Sequence, residues 1–241
     1  MRRVVLVLAA MALALLLASG VAWAVNKIGT NGPDILRGTN KADNLLGKGG
    51  NDVLFGLGGR DNLLGGEGKD WVLGGNERRP QGGDKNLVGG PGNDAVFGGN
   101  GPDNVLGGSG NDDVGGGRGS DSSVVGDEGR DIVNGDRGSD RVVGGEGPDW
   151  LVDGPLRETS KDTLSGGDGD DAFIVNNRPA TRDLVSCGGG FDRVAADTKD
   201  LAAPDCERVR RGPNAEQELD ALFEELGFVA VFEGLAPSPF E

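Results

Sequence analysis

Large aliphatic residues return every ninth position along most of this chain. They stand at Leu36, Leu45, Leu54, Leu63 and Val72, then at Val96, Val105 and Val114. The series continues at Val133, Val142 and Leu151 and ends at Leu164 and Phe173. Two residues before each stands an Asp, and before that Asp a glycine-rich run. Alternation along an extended segment sends the middle residue of each Asp-following triplet opposite to its neighbours. One large apolar side chain per nine residues therefore faces a common interior, while Val53, Phe55, Trp71, Leu73, Phe97, Leu106 and Trp150 point outward. A period this strict defines the fold before any single element does. Six loop residues and three strand residues make one unit, and two units make a coil of about 18 residues. Stacked coils give two parallel sheets around a thin aliphatic core, an all-β solenoid.

The breaks in the period are as informative. Between Gly74 and Val88 the extra residues Asn76 to Gln81 intervene, Asp84 comes one place early, and Lys85 takes the place where Asp is due. The expectation there is a surface loop spliced into a coil, with a weakened or missing ligand. A second splice lies around Pro155 to Lys161. Beyond Val175 the rhythm loosens, although Asp183 and Asp192 keep the nine-residue spacing and Cys187 heads a loop that imitates the repeat. After Pro213 the character changes. Asn214 and Gln217 suit a helix start, and Leu219, Leu222, Phe223 and Leu226 share one face before Gly227. This predicts a short C-terminal helix that either folds over the end of the array or docks a partner.

Residues 1–24 read as a secretory signal peptide: Arg2 and Arg3, an apolar run from Val4 to Ala18, and Ala22-Trp23-Ala24 as a small-x-small cleavage site. An uncleaved anchor is the alternative, since the apolar region nearly suffices to span a bilayer. Ser19, Gly20 and the final Ala-x-Ala favour cleavage. The expected organisation is thus a leader at 1–24, repeats at 29–175, degenerate end coils at 176–211 and a helical tail at 212–241. An exported chain with two Cys most simply joins Cys187 to Cys206, the alternative being two free thiols.

Composition narrows the chemistry. The chain has 47 Gly, 5% aromatic residues, no His and a formal charge of −15. Without His there is no Ser–His–Asp or Cys–His nucleophile and no imidazole-ligated zinc. The acidic balance argues against nucleic acid. It points to hard cations held by oxygen. Glycines let loop carbonyls crowd towards one point, and irregular all-oxygen cages suit calcium. Carboxylates stacked coil upon coil repel unless a cation intervenes, so calcium binding and folding are expected to be one event.

Seven loops read G-G-x-G-x-D in full, starting at Gly65, Gly89, Gly98, Gly107, Gly116, Gly144 and Gly166. They resemble the hemolysin-type calcium-binding nonapeptides of repeats-in-toxin (RTX) proteins, over residues 29–175 and more loosely to 209. The resemblance implies a parallel β-roll with several calcium ions between successive loops, held by Asp side chains and loop carbonyls. The best-matched ligand positions are Asp70, Asp94, Asp103, Asp112, Asp121, Asp149 and Asp171. Asp34, Asp52, Asp61, Asp131 and Asp140 keep the G-x-x-G-x-D skeleton, and Asp43, Asp162 and Asp192 sit in eroded loops. Family toxins, proteases and lipases carry a separate catalytic or membrane-active domain, and here almost nothing lies outside the repeats. The expected function is a secreted, non-enzymatic calcium-binding protein with a surface, matrix or adhesive role. Cell-surface or matrix polymers or proteins are the candidate partners. The alternative is an extracellular polysaccharide-acting enzyme or its accessory module.

Overall fold

The computed structural model describes residues 23–212, apart from 77–82, 85, 156–158, 176 and 178–179. The leader through residue 22, most of the first splice and the C-terminal helix expected after Pro213 lie outside the described residues. Within them the chain is all β, with twenty strands and no helix. Consequently no helix among the described residues is long and apolar enough to cross a membrane.

Successive strands alternate between two ten-stranded sheets. The first sheet runs from Asn26–Ile28 to Leu201–Ala202 and the second from Ile35–Arg37 to Arg208–Arg211. Every pairing is parallel, because the chain returns to the same sheet only after a full coil. In the first sheet Leu45 pairs with Leu63, Leu63 with Leu87 and Leu87 with Val105. In the second, Leu54 pairs with Val72, Val72 with Val96 and Val96 with Val114. The architecture is a parallel β-solenoid of about ten coils.

All thirteen aliphatic or aromatic residues expected inside are buried, from Leu36 at 8% exposure to Phe173 at 0%. The structure adds Leu87 and Val124 to this column. Both fall just after a break in the period, so strict counting by nine passes them over. The outward residues Val53, Phe55, Trp71, Leu73, Phe97 and Trp150 all stand on the second sheet and are half-buried by their neighbours above and below. Beyond Phe173 the core takes in Val175, Val185, Cys187, Val194 and Ala196. There the Cys187–Cys206 disulfide closes a 19-residue separation. In the chain-entropy account a loop of this size stabilises by about 3 kcal/mol.

In most loops the turn after the strand carries a left-handed residue in the loop's second place. Gly66 (φ 118°) and Gly75 (φ 130°) fill it in one coil, and Lys48 (φ 91°) and Leu57 (φ 79°) fill it one coil earlier. A side chain in this conformation costs roughly 1–2 kcal/mol. Lys48→Gly should therefore stabilise the folded protein, by roughly 0.5–1 kcal/mol once the extra freedom of the unfolded chain is subtracted. Phe173→Ala should cost about 3–5 kcal/mol. Denaturant midpoints at saturating calcium measure both, and an unchanged midpoint for Lys48→Gly would contradict the strain argument.

Candidate metal centre

The loops stack into two columns, one along each edge of the roll, and each column carries a ladder of Asp residues. The first holds Asp34, Asp52, Asp70, Asp94, Asp112, Asp131, Asp149, Asp171 and Asp192. The second holds Asp43, Asp61, Asp84, Asp103, Asp121, Asp140, Asp162, Asp183 and Asp200. In every rung the backbone N–H of one Asp donates to Oδ1 of the Asp one coil later. Representative distances are 2.8 Å from Asp52 to Asp70 and 2.7 Å from Asp103 to Asp121. This bond fixes each carboxylate's direction and leaves its second oxygen to face the loop interior.

All fifteen Asp residues singled out by the repeat are on these ladders, and the structure adds three, Asp84, Asp183 and Asp200. The gap expected at the first splice is filled: Asp84 is 2% exposed and accepts from Asp61 N at 2.7 Å. The strand Asn86–Pro91 follows. The ladder itself carries the signal that counting by nine loses. Asp61 and Asp84 are 23 apart and Asp84 and Asp103 are 19 apart, each one coil plus the inserted residues. Asp183 and Asp192 had kept the spacing, whereas Asp200 had no motif to mark it.

The free oxygens define the site. Oδ2 of Asp52, Asp61, Asp70, Asp84, Asp94, Asp103, Asp112, Asp121, Asp131, Asp149 and Asp171 is buried and receives no hydrogen bond from the described residues. What it faces is visible at the loop's head glycine. A Cβ built on Gly89 would lie 2.5 Å from Asp94 Oδ2 and 2.7 Å from the Gly107 carbonyl oxygen. One built on Gly107 would meet Asp112 Oδ2 at 2.5 Å and the Gly126 carbonyl at 2.8 Å. Each cradle thus brings a carboxylate oxygen and a carbonyl of the next coil to a space that any side chain would fill. No group of three or more Cys, Asp or Glu side chains gathers as a metal site among the described residues. A cation between these loops would therefore take much of its shell from backbone carbonyls, and a flexible all-oxygen shell of this kind suits calcium.

The head glycines give out towards the C-terminal end. Gly135, Asp153, Val175 and Ala196 follow one another in the second column, and Gly166 is followed by Cys187 in the first. Val175, Cys187 and Ala196 are wholly buried side chains at the place where the cradle would open. Around Asp153 a polar knot forms instead. Asn177 Nδ2 donates to Oδ2 of Asp153 at 2.9 Å and of Asp183 at 3.2 Å. Arg211 Nη1 donates to the carbonyls of Asp197 and Asp200 at 3.1 and 2.9 Å.

Burial makes these carboxylates hard to ionise without a counter-charge. Loss of water raises Asp103 to about 8; the Asp84 N–H lowers it in part, and the Asp84 and Asp121 carboxylates add to the rise. Asp149 is raised to about 8, and Asp94, Asp112 and Asp171 to about 7, in each case by burial first. A carboxyl whose pKa is raised on folding favours the folded state in its protonated form. That contribution is complete below the ordinary value of 3.8 and is lost as pH climbs through about 6 to 8. In EDTA the β-sheet circular dichroism should therefore strengthen from pH 8 to pH 4, the reverse of ordinary acid denaturation. A signal that weakens steadily on acidification would contradict this assignment. Calcium added near neutral pH should release protons, measurable in weakly buffered solution.

No curated protein matches the chain. A family model does, described as RTX calcium-binding nonapeptide repeat (4 copies), at residues 28–63, 46–77, 88–122, 123–151 and 159–176. Those segments include every open carboxylate named above except Asp84, and together they cover more than half of the chain. The match agrees with the stacked loops, the aspartate ladders and the all-oxygen cradles. This calcium-binding β-roll belongs to the RTX calcium-binding nonapeptide repeat family.

Proposed function

We propose that this protein is exported and folds into its roll only when calcium fills the loops, serving a non-catalytic surface, matrix or adhesive role. The observation that carries the coupling to folding is the row of buried Oδ2 atoms with no donor. Neighbouring coils sit about 4.8 Å apart. Two ionised carboxylates at that separation repel by something like 3 kcal/mol at an effective dielectric near 20, before salt screening. A divalent ion between them reverses the sign. Opposing the roll is the ordering of many glycines, each costing about 0.5–1 kcal/mol more than Ala. One buried aliphatic residue per loop is a thin return for that cost.

Export is supported by the leader-like residues 1–24 and by the Cys187–Cys206 disulfide, which belongs to oxidising compartments. Extracellular calcium modules work at about 10⁻⁴–10⁻³ M, the range an exported roll would meet. The surface role is supported by the second sheet, where Val53, Phe55, Trp71, Leu73, Phe97 and Trp150 form outward apolar rows.

Circular dichroism and hydrodynamic radius during an EDTA/calcium titration test the coupling. The expected result is an expanded, disordered chain in EDTA that collapses to a β spectrum over a cooperative range of calcium. A β spectrum and compact radius that persist in EDTA at pH 8 would refute it. Within the roll, Gly107→Ala places a methyl group against Asp112 Oδ2 and the Gly126 carbonyl. It should destabilise the calcium-loaded protein by about 1–3 kcal/mol, as overpacking does, and lower the bound calcium.

A further inference from the structure

The first loop on each edge differs from those above it. Oδ2 of Asp34 accepts hydrogen bonds from Thr30 N at 2.5 Å and Thr30 Oγ1 at 2.9 Å. Oδ2 of Asp43 accepts from Thr39 N at 2.5 Å and Thr39 Oγ1 at 3.1 Å. Oδ1 of Asp43 is bonded as well, by Val25 N at 2.6 Å and Thr39 Oγ1 at 3.3 Å. Asp43 is only 1% exposed, so water does not account for the difference between it and the open rungs. The oxygen that has no donor at Asp52 and Asp61 is already doubly bonded at Asp34 and Asp43.

The cause is one residue in the loop's second place. In the next coil Lys48 and Leu57 hold that place with positive φ inside longer strands, Asn44–Gly49 and Val53–Leu57. In the first coil the strands stop at Ile28 and Arg37, and neither Thr30 nor Thr39 has positive φ. The amide of each Thr turns onto its own Asp, and the hydroxyl adds a second donor to the same oxygen.

We propose that Thr30 and Thr39 replace calcium in the first loop of each edge, so that Asp34 and Asp43 are structural acceptors rather than calcium ligands. This rests on the calcium reading of the loops above them. The same chemistry recurs at the far end with other residues. Asp183 Oδ2 receives Asn177 Nδ2 at 3.2 Å and Thr181 Oγ1 at 3.3 Å, and Asp200 Oδ2 receives Asp197 N at 2.7 Å. On the second edge the calcium-requiring section is thus bounded at both ends by loops whose carboxylates are satisfied by the protein itself. On the first edge the closed loop stands at the start alone, and Asp192 Oδ2 at the far end has no donor among the described residues. At its lower border the calcium-requiring section begins with Asp52 and Asp61.

Bound calcium per folded chain, measured by equilibrium dialysis at saturating calcium, separates the roles. Asp34→Asn and Asp43→Asn should keep the full wild-type number, whereas Asp61→Asn and Asp112→Asn should bind less. Thr30→Gly restores a complete G-G-N-G-P-D loop and should bind more calcium than wild type. Thr39→Val, which keeps the amide and loses the hydroxyl, should lower the melting temperature equally at limiting and saturating calcium. Loss of calcium in Asp34→Asn and Asp43→Asn matching that in Asp112→Asn would overturn the threonine assignment while leaving the calcium reading intact. A wild-type chain that binds no calcium, or an Asp112→Asn chain with undiminished calcium, would instead overturn the calcium reading itself.

Discussion

A carboxylate oxygen shut away from water must find a proton, a donor or a cation, and this fold sets that requirement once per loop. The backbone N–H of one Asp holds Oδ1 of the next, which keeps the ladder in register but does nothing for the other oxygen. Oδ2 is left to face a carbonyl of the following coil. Two electronegative atoms turned to one buried point are unfavourable unless something positive lies between them. The rest of the structure can be understood as the ways this chain meets that one demand.

Calcium meets it through the middle of the roll. There the head position is Gly, because a Cβ would stand between Oδ2 and the carbonyl. The same glycines deprive the core of side chains, which is why one Leu or Val per loop is all the sheets enclose. Core and metal site therefore compete for the same positions. Where the head residue becomes Val175, Cys187 or Ala196, the core gains a side chain and the cradle is lost. The Cys187–Cys206 bond lies where this exchange has been made. Towards the C-terminus, stabilisation thus passes from cations to packing and a covalent link.

The nine-residue period made the fold legible: which residues face inward, that the sheets are parallel, and that two repeats form one coil all follow from spacing and alternation. The ladder was legible only where the count was unbroken. Leu87, Val124 and Asp84 were missed because each follows an inserted residue, and the fold conserves coil register rather than residue number. Despite the added residues the next strand pairs in register, with Asn62 opposite Asn86. What the spacing could not reveal is the state of each oxygen. Asp34 and Asp52 stand in nearly the same motif, G-x-x-G-x-D, yet one is doubly bonded at Oδ2 and the other has no donor there. That difference depends on the backbone angle of a single preceding residue.

Glycine in the loop's second place is usually credited with allowing the turn, but here it also withholds a donor. With positive φ, the residue keeps register with its counterpart one coil away, as at Gly66 opposite Lys48 and Gly108 opposite Gly90, and Oδ2 of the Asp that follows is left without a donor. A threonine with ordinary φ releases the amide to its own carboxylate and adds a hydroxyl. The repeat thus has two stable forms, one closed by its own side chain and one that stays open until an ion arrives. Lys48 and Leu57 retain positive φ without being glycine, so it is the backbone angle and not the absence of a side chain that keeps the loop open. A chain built wholly from the closed form would fold without calcium and could not respond to it. One built wholly from the open form would have no edge on which the first calcium-bound coil could stack. Two closed loops at the start, and the donor-satisfied loops of Asp183 and Asp200 at the far end of the second edge, leave the loops between them free to answer to the ion.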